Sequence, residues 1–407
     1  MQAPLFALVL SVFGLGTAES VIAGLLPQLA TDLDVSLSQA GLLVSAYALT
    51  IVIGGPAVTL ATSRLPRKPL LVGLLALFVA GNVVAALAPG YGVLMTARVV
   101  TGLGHCTLFA LALITAAEIA GPEKSGSAVA RIIIGVNLAT IVGVPMGLLL
   151  AQHWGWRATF WGVTVLTLAA LVATAVLVPA TPGGGGSGGV AAELTVLRDR
   201  RVQVALLLTV VGLAGGYTAF TFLTPLLERV SGFEPRQVTV LLFVFGLGSL
   251  AGGVLGGRLA DRALMGSLTA LLAGLTLALP VFAALAGHRI AAVAAVAVFS
   301  ILFFALNPGL GARVLNSVSG RAPTLAVSMS IASVQTAIAL GAWLGGQVLD
   351  LGFGLRSVLL AGAVLTCVGC AIAWAEWRAE RRPAGRRRQS APRTEAPAGT
   401  VASGPLG

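Results

Sequence analysis

Leu5-Phe6-Ala7-Leu8-Val9-Leu10-Ser11-Val12-Phe13-Gly14-Leu15-Gly16-Thr17-Ala18-Glu19-Ser20-Val21-Ile22-Ala23-Gly24-Leu25-Leu26 is an apolar run interrupted by one charge, Glu19. At ~1.5 Å per residue a helix of this length spans the ~30 Å hydrocarbon core of a bilayer. Backbone groups in hydrocarbon must be satisfied within a helix or by a closed barrel. The run is too long and too uniformly apolar for a barrel's alternating strands of ~10 residues. No basic segment precedes it and no small-residue cleavage site follows, so a retained span is expected rather than a signal peptide.

The same pattern recurs along the chain. Comparable runs lie at approximately 39–60, 69–88, 92–119, 129–150, 159–178, 202–223, 238–259, 264–286, 291–310, 325–348 and 357–377, which predicts about twelve spans. Hydrophobic residues make up 57% of the 407 and charged residues only 10%, with a mean hydropathy of +0.98. A soluble domain needs far more charge to cover its surface. The net charge of +11 is grouped in short loops between apolar runs, which argues for membrane topology and against nucleic-acid binding.

Orientation follows from the alternate loops. One set carries Arg64, Arg67, Lys68, Lys124, Arg131, Arg198, Arg200, Arg201, Arg258, Arg262, Arg313 and Arg321, and the Arg-rich C-terminus lies on that side too. The other set carries Arg157, Arg229, Arg236, Arg289 and Arg356. The basic side is expected to be cytoplasmic, with both termini there.

The Gly-rich stretch from Thr181 to Gly189 lacks the GK[ST] ending of a phosphate-binding loop and is expected to be a flexible linker. It divides the chain into a six-helix bundle at 1–180, a linker at 181–200, a second bundle at 201–377 and a basic, disordered tail at 378–407. The halves echo one another at an offset of 198 residues. Gly14-Leu15 recurs as Gly212-Leu213, Pro27 as Pro225, and Gly143 with Gly147 as Gly341 with Gly345. A parallel repeat of six spans is a known transporter architecture.

Several segments carry a resemblance. Gly257-Arg258-Leu259-Ala260-Asp261-Arg262 resembles the cytoplasmic-loop signature of the major facilitator superfamily, and Arg98-Val99-Val100-Thr101-Gly102-Leu103-Gly104 its R-x-x-x-G-x-G motif. Gly143-Val144-Pro145-Met146-Gly147 is similar to the motif of its antiporters. In the first half the loop signature is degraded, with Ser63 where the Asp would stand, although Arg64 remains. The runs Gly16–Pro27, Leu43–Leu49 and Gly155–Phe160 are similar to the bacterial chloramphenicol and arabinose efflux branch of the twelve-span drug:proton antiporters. The resemblance implies an all-α membrane protein of two pseudo-symmetric bundles that acts as a monomer in the bacterial inner membrane. It also implies proton-driven export of small amphiphilic, chloramphenicol-like drugs by alternating access. A sugar or metabolite exporter, or an uncoupled facilitator, is the alternative on the same fold.

A charge at mid-membrane depth costs about 3 kcal/mol or more, so such residues usually face a cavity. Glu19 lies roughly 10 Å from the outer end of span 1 and Arg98 about 9 Å from the same face in span 4. They are expected either to form a proton-coupling couple or to be a static buried pair. His105 sits two turns from Arg98 on the same helical face, as a relay or substrate contact or as a packing residue. Tyr217 occupies the Glu19 position of the second half, with Phe220 three residues on. Together with Asn137 and Asn307 these are candidate substrate contacts, or else ordinary interhelical packing. Arg64, Arg258, Asp261 and Arg262 are candidates for a cytoplasmic gate, and Pro145 for a hinge. There is no HExxH and no clustered metal ligand, so neither an enzyme nor a cofactor is expected. The expected partners are a small-molecule substrate, protons and the lipid bilayer.

Overall fold

The computed structural model describes residues 2–62, 65–180, 198–318 and 323–381, and all regular elements among them are helical. Spans 1 to 4 are Gln2–Asp32, Leu37–Thr62, Arg67–Ala86 and Tyr91–Ala120. Span 5 runs from Ser125 to Trp154 and span 6 is Trp156–Leu177. In the second half, span 7 covers Arg200–Thr221 and continues as Leu223–Arg229. Spans 10 to 12 are Arg289–Ser317, Pro323–Asp350 and Leu355–Arg381.

Among the described residues eleven helices are long and apolar enough to cross a membrane, against the twelve expected. The difference is Pro235–Leu285, 51 residues long and broken at Ala263 (φ −159°, ψ 85°). At ~1.5 Å per residue it measures about 75 Å, more than twice a hydrocarbon core. Its two arms are the expected spans 8 and 9, and the break falls beside Arg258 and Arg262, whose charges hold that point at the membrane surface. Local signals set several helix starts. Asp199 caps span 7 by accepting from the Arg201 N–H, and Glu234 and Gln237 form a reciprocal capping box ahead of span 8.

Large apolar side chains such as Ile53, Val165, Val176, Leu277 and Ile290 are exposed on the outside of the bundle. In a membrane they meet lipid, which asks for no polar cover. Inside, small residues allow backbones to approach. A Cβ on Gly341 would lie 2.6 Å from the Ala214 carbonyl oxygen, so spans 7 and 11 touch backbone to backbone. Gly143 lies instead against the Thr17 side chain between spans 1 and 5. The repeated glycines therefore both mark close helix contacts, made to backbone in one half and to a side chain in the other. Gly252, Gly253, Gly256 and Gly257 in span 8 divide by helical face. Gly252 and Gly256 lie against the backbone at Ile301 and Ala305 of span 10, whereas Gly253 and Gly257 face open space.

Span 5 is not a uniform α-helix. Ala139–Gly143 is a π-helical turn directly before Pro145, which has no N–H to offer the Ile141 carbonyl. Span 12 also departs from expectation. Its helix continues to Arg381, with Arg378 over the Trp374 ring at 3.7 Å and Arg381 over Trp377 at 4.2 Å. These i, i+4 cation–π contacts keep the first residues of the expected tail helical. The remainder of that tail, with Arg386-Arg387-Arg388, lies outside the described residues, as do linker residues 181–197.

Candidate functional site

A cavity of about 270 Å³ lies between the halves, walled by spans 1, 2, 4 and 5 on one side and 7, 10 and 11 on the other. Most of its rings lie on the second half, which also supplies Thr221, Ser330 and Gln335, while the first half adds Phe109. The second half supplies aromatic rings: Tyr217, Phe220, Phe303 and Phe304 all face the space. Tyr217 meets Phe303 edge-on at 5.0 Å, and Phe303 meets Phe304 at 5.2 Å. Behind them Phe245 stacks on Phe220 at 5.0 Å. The first half supplies Glu19, Ser20, His105 and Thr140. Thr140 sits in the π-helical turn of span 5, so the irregularity that Pro145 imposes lies at the cavity wall.

The polar residues form a chain across the site. Arg98 is buried, 1% exposed; one guanidinium nitrogen donates to the Ala18 carbonyl at 2.8 Å, and its Cζ lies 3.9 Å from the Tyr47 ring centroid. Its Nε and other terminal nitrogen have no hydrogen-bond partner among the described residues. The Tyr47 hydroxyl meets His105 Nδ1 at 2.7 Å. On the far side of the imidazole, Nε2 is 3.8 Å from a carboxylate oxygen of Glu19, an ion pair when His105 is protonated. The other Glu19 oxygen accepts from Gln335 Nε2 at 2.7 Å. This last bond joins span 1 of the first half to span 11 of the second.

A family model described as Major Facilitator Superfamily matches residues 8–333. The chain belongs to the major facilitator superfamily.

As a superfamily member it is a multi-pass membrane transporter and not an enzyme. It is 38% identical over 362 residues to the inner membrane transport protein YdhP of Escherichia coli O157:H7, covering 89% of this chain and 92% of that protein. It is 35% identical over 377 residues to a chloramphenicol resistance protein of Streptomyces lividans, covering 92% and 96%. Among solved structures, a bacterial homologue of the human lysosomal transporter Spinster, inward-facing and unoccupied, superposes with a TM-score of 0.74 at 18% identity, covering 92% and 96%. A D-xylose-proton symporter superposes at 0.72 with 15% identity, covering 91% and 97%. At such identities the last two speak for the fold alone.

Glu19, His105, Tyr217 and Phe220 come together at the cavity as expected. The direct Glu19–Arg98 pair does not form. Arg98 reaches the carbonyl beside Glu19 but turns its guanidinium onto Tyr47, so Tyr47 and His105 stand between the two charges. Asn137 and Asn307 do not line the cavity. On span 5 the flanking Val136 and Thr140 face it instead, and Asn307 lies a turn beyond Phe303 and Phe304. Arg258, Asp261 and Arg262 are exposed at the Ala263 break and form no ion pair among the described residues, so no assembled gate is seen there. Arg64 lies outside the described residues, and Pro145 is buried beside the π-helical turn.

Sequence reading missed Tyr47, Gln335, Phe303 and Phe304. Each had a local signal, a polar or doubly aromatic position inside an apolar run. Which way those positions face depends on how the helices pack.

Proposed function

We propose that this chain is a proton-coupled exporter of small amphiphilic drugs, chloramphenicol-like, working by alternating access of one central cavity. The observation that carries this reading is Glu19, a carboxylate on the wall of an aromatic-lined cavity at the seam between the halves. A proton that binds there alters charge at the substrate site and at the moving interface together. The similarity to the chloramphenicol resistance protein supports the substrate class. Aromatic rings suit the flat, apolar body of such a drug, while Glu19 and His105 address its polar groups.

In this reading both termini are cytoplasmic, from the basic loops on their side, and the energy source is the proton gradient. Glu19 takes a proton from outside and releases it inside as drug leaves. His105, Tyr47 and Arg98 hold the carboxylate in a polar path through an otherwise apolar bundle.

The test is chloramphenicol accumulation in an efflux-deficient bacterium expressing the chain, wild type beside Glu19→Gln, with and without a protonophore. Low accumulation that the protonophore and the substitution each abolish supports the reading. Unchanged accumulation with protein confirmed in the membrane removes chloramphenicol and favours a sugar or metabolite exporter on the same fold.

A further inference from the structure

Gln335 is 6% exposed and lies on the cavity wall. Its Nε2 donates to Glu19 across the seam, over a sequence separation of 316 residues, but its Oε1 is buried with no hydrogen-bond partner among the described residues. A buried amide oxygen without a donor costs free energy, and such atoms are uncommon in folded proteins. Here the missing donor has an obvious source. An ionised carboxylate only accepts, whereas a protonated carboxyl carries one O–H donor besides its carbonyl. A primary amide facing a protonated carboxyl can donate its N–H to the carbonyl and accept the O–H at its oxygen. The pair then holds two hydrogen bonds instead of one.

We propose that Gln335 is a positioning residue that makes the contact between the halves depend on the proton at Glu19. With Glu19 ionised, one bond crosses the seam and the Gln335 oxygen is left over. With Glu19 protonated, a second bond closes and the halves are held more firmly in this arrangement. The proton comes from solvent and returns to it, so no other reactant is consumed. The inference rests on Glu19 being the protonated group and says how its charge state is passed to the helices that move.

The groups around Glu19 bear on this. Span 2 presents Tyr47, span 4 presents Arg98 and His105, span 7 presents Tyr217, and span 11 presents Gln335 itself. The spans 5 and 10 side chains at the cavity are Val136, Thr140, Phe303 and Phe304, none of which titrates. Of these neighbours His105 alone is a residue type that ordinarily changes charge near neutral pH, so the experiment must separate it from Glu19. One other seam contact involves a carboxylate, Ser38 donating to Asp350 at 2.7 Å, and the Glu19→Gln comparison separates it from Glu19; the remaining contacts do not titrate. Ser45 donates to the Ala339 carbonyl at 3.0 Å, and Gln152 donates to the Pro235 carbonyl at 2.7 Å and to Thr239 at 2.9 Å.

The test uses the full chain in lipid nanodiscs, with Cys106, Cys367 and Cys370 changed to Ala. Spin labels go on Glu123→Cys, an exposed loop position of the first half, and on Asn316→Cys, an exposed position in the last turn of span 10, both on the side of the termini. Pulsed electron–electron distance measurements at pH 8 and pH 5.5 then give the population of this arrangement relative to the alternative. In otherwise wild-type protein acidification is expected to raise that ratio at least five-fold. Gln335→Leu, which keeps the bulk without the amide, should reduce the response below two-fold, and Gln335→Asn should recover part of it. Glu19→Gln should remove the response, because its amide pairs with Gln335 at both pH values.

A wild-type response that survives in Gln335→Leu would overturn the inference. If Glu19→Gln has meanwhile abolished it, Glu19 still stands as the proton site and only the role of Gln335 falls. A full response in Glu19→Gln would assign the titration to another group, His105 or Asp350, and the proton-coupling reading and this inference would fall together. No response in wild type likewise overturns the inference.

Discussion

The Arg98 guanidinium carbon lies 3.9 Å from the centre of the Tyr47 ring, and both side chains are 1% exposed. A full charge is thus held in the membrane interior by an aromatic face and one carbonyl, with no carboxylate in direct contact. Cation–π attraction is strongest where both partners are desolvated, at about 2 kcal/mol. Tyr47→Ala should therefore abolish transport and lower the melting temperature. Tyr47→Phe retains the face and loses only the bond to His105, so stability should hold within a few degrees while transport falls several-fold. Comparing the two in drug-accumulation and thermal-shift assays separates the face from the hydroxyl. Equal loss of stability in both variants would refute this division.

Ser38 donates to Asp350 at 2.7 Å, joining spans 2 and 11 on the side away from the termini. Removing one hydrogen bond costs about 1 kcal/mol, or about five-fold in an equilibrium. Ser38→Ala should shift the conformers by that factor toward the one that opens on this side. Distance measurements between labels on that face should report it, and an unchanged distribution would make the bond incidental.

Phe303 and Phe304 supply much of the aromatic wall. Replacing Phe304 by Ala removes ring contacts worth about 1 kcal/mol beyond the buried area. Binding of an aromatic drug to the purified protein should weaken about ten-fold, and Phe304→Leu should weaken it less. Undiminished binding in Phe304→Ala would place the drug elsewhere.

The two faces of span 8 predict opposite outcomes for the same substitution. A Cβ at Gly256 would stand 2.1 Å from the Ala305 carbonyl oxygen, while one at Gly253 would meet nothing within 4 Å. Gly256→Ala should destabilise by about 1–3 kcal/mol through overpacking, and Gly253→Ala should be close to neutral. Thermal unfolding in detergent distinguishes them; equal melting temperatures would mean the helices separate at no cost.

Fold class, span positions, the two-fold repeat and the charged residue of span 1 were legible in the chain, because each depends on local composition. An apolar run of some twenty residues has few options in a bilayer, and a single Glu within one is conspicuous. Even the break at Ala263 had its sign in Arg258 and Arg262 next to it. Contacts between distant residues were not legible. Glu19 meets Gln335 rather than Arg98 because helix rotation and depth decide which side chains point into a shared space, and both depend on packing against several neighbours at once. On span 5 Val136 and Thr140, four residues apart, share the cavity face, and Asn137 is turned about a third of the way round the helix from it. Composition determined that this chain would lie in a membrane as a bundle of helices. Which polar atoms meet at its centre was settled only when the two halves closed on one another.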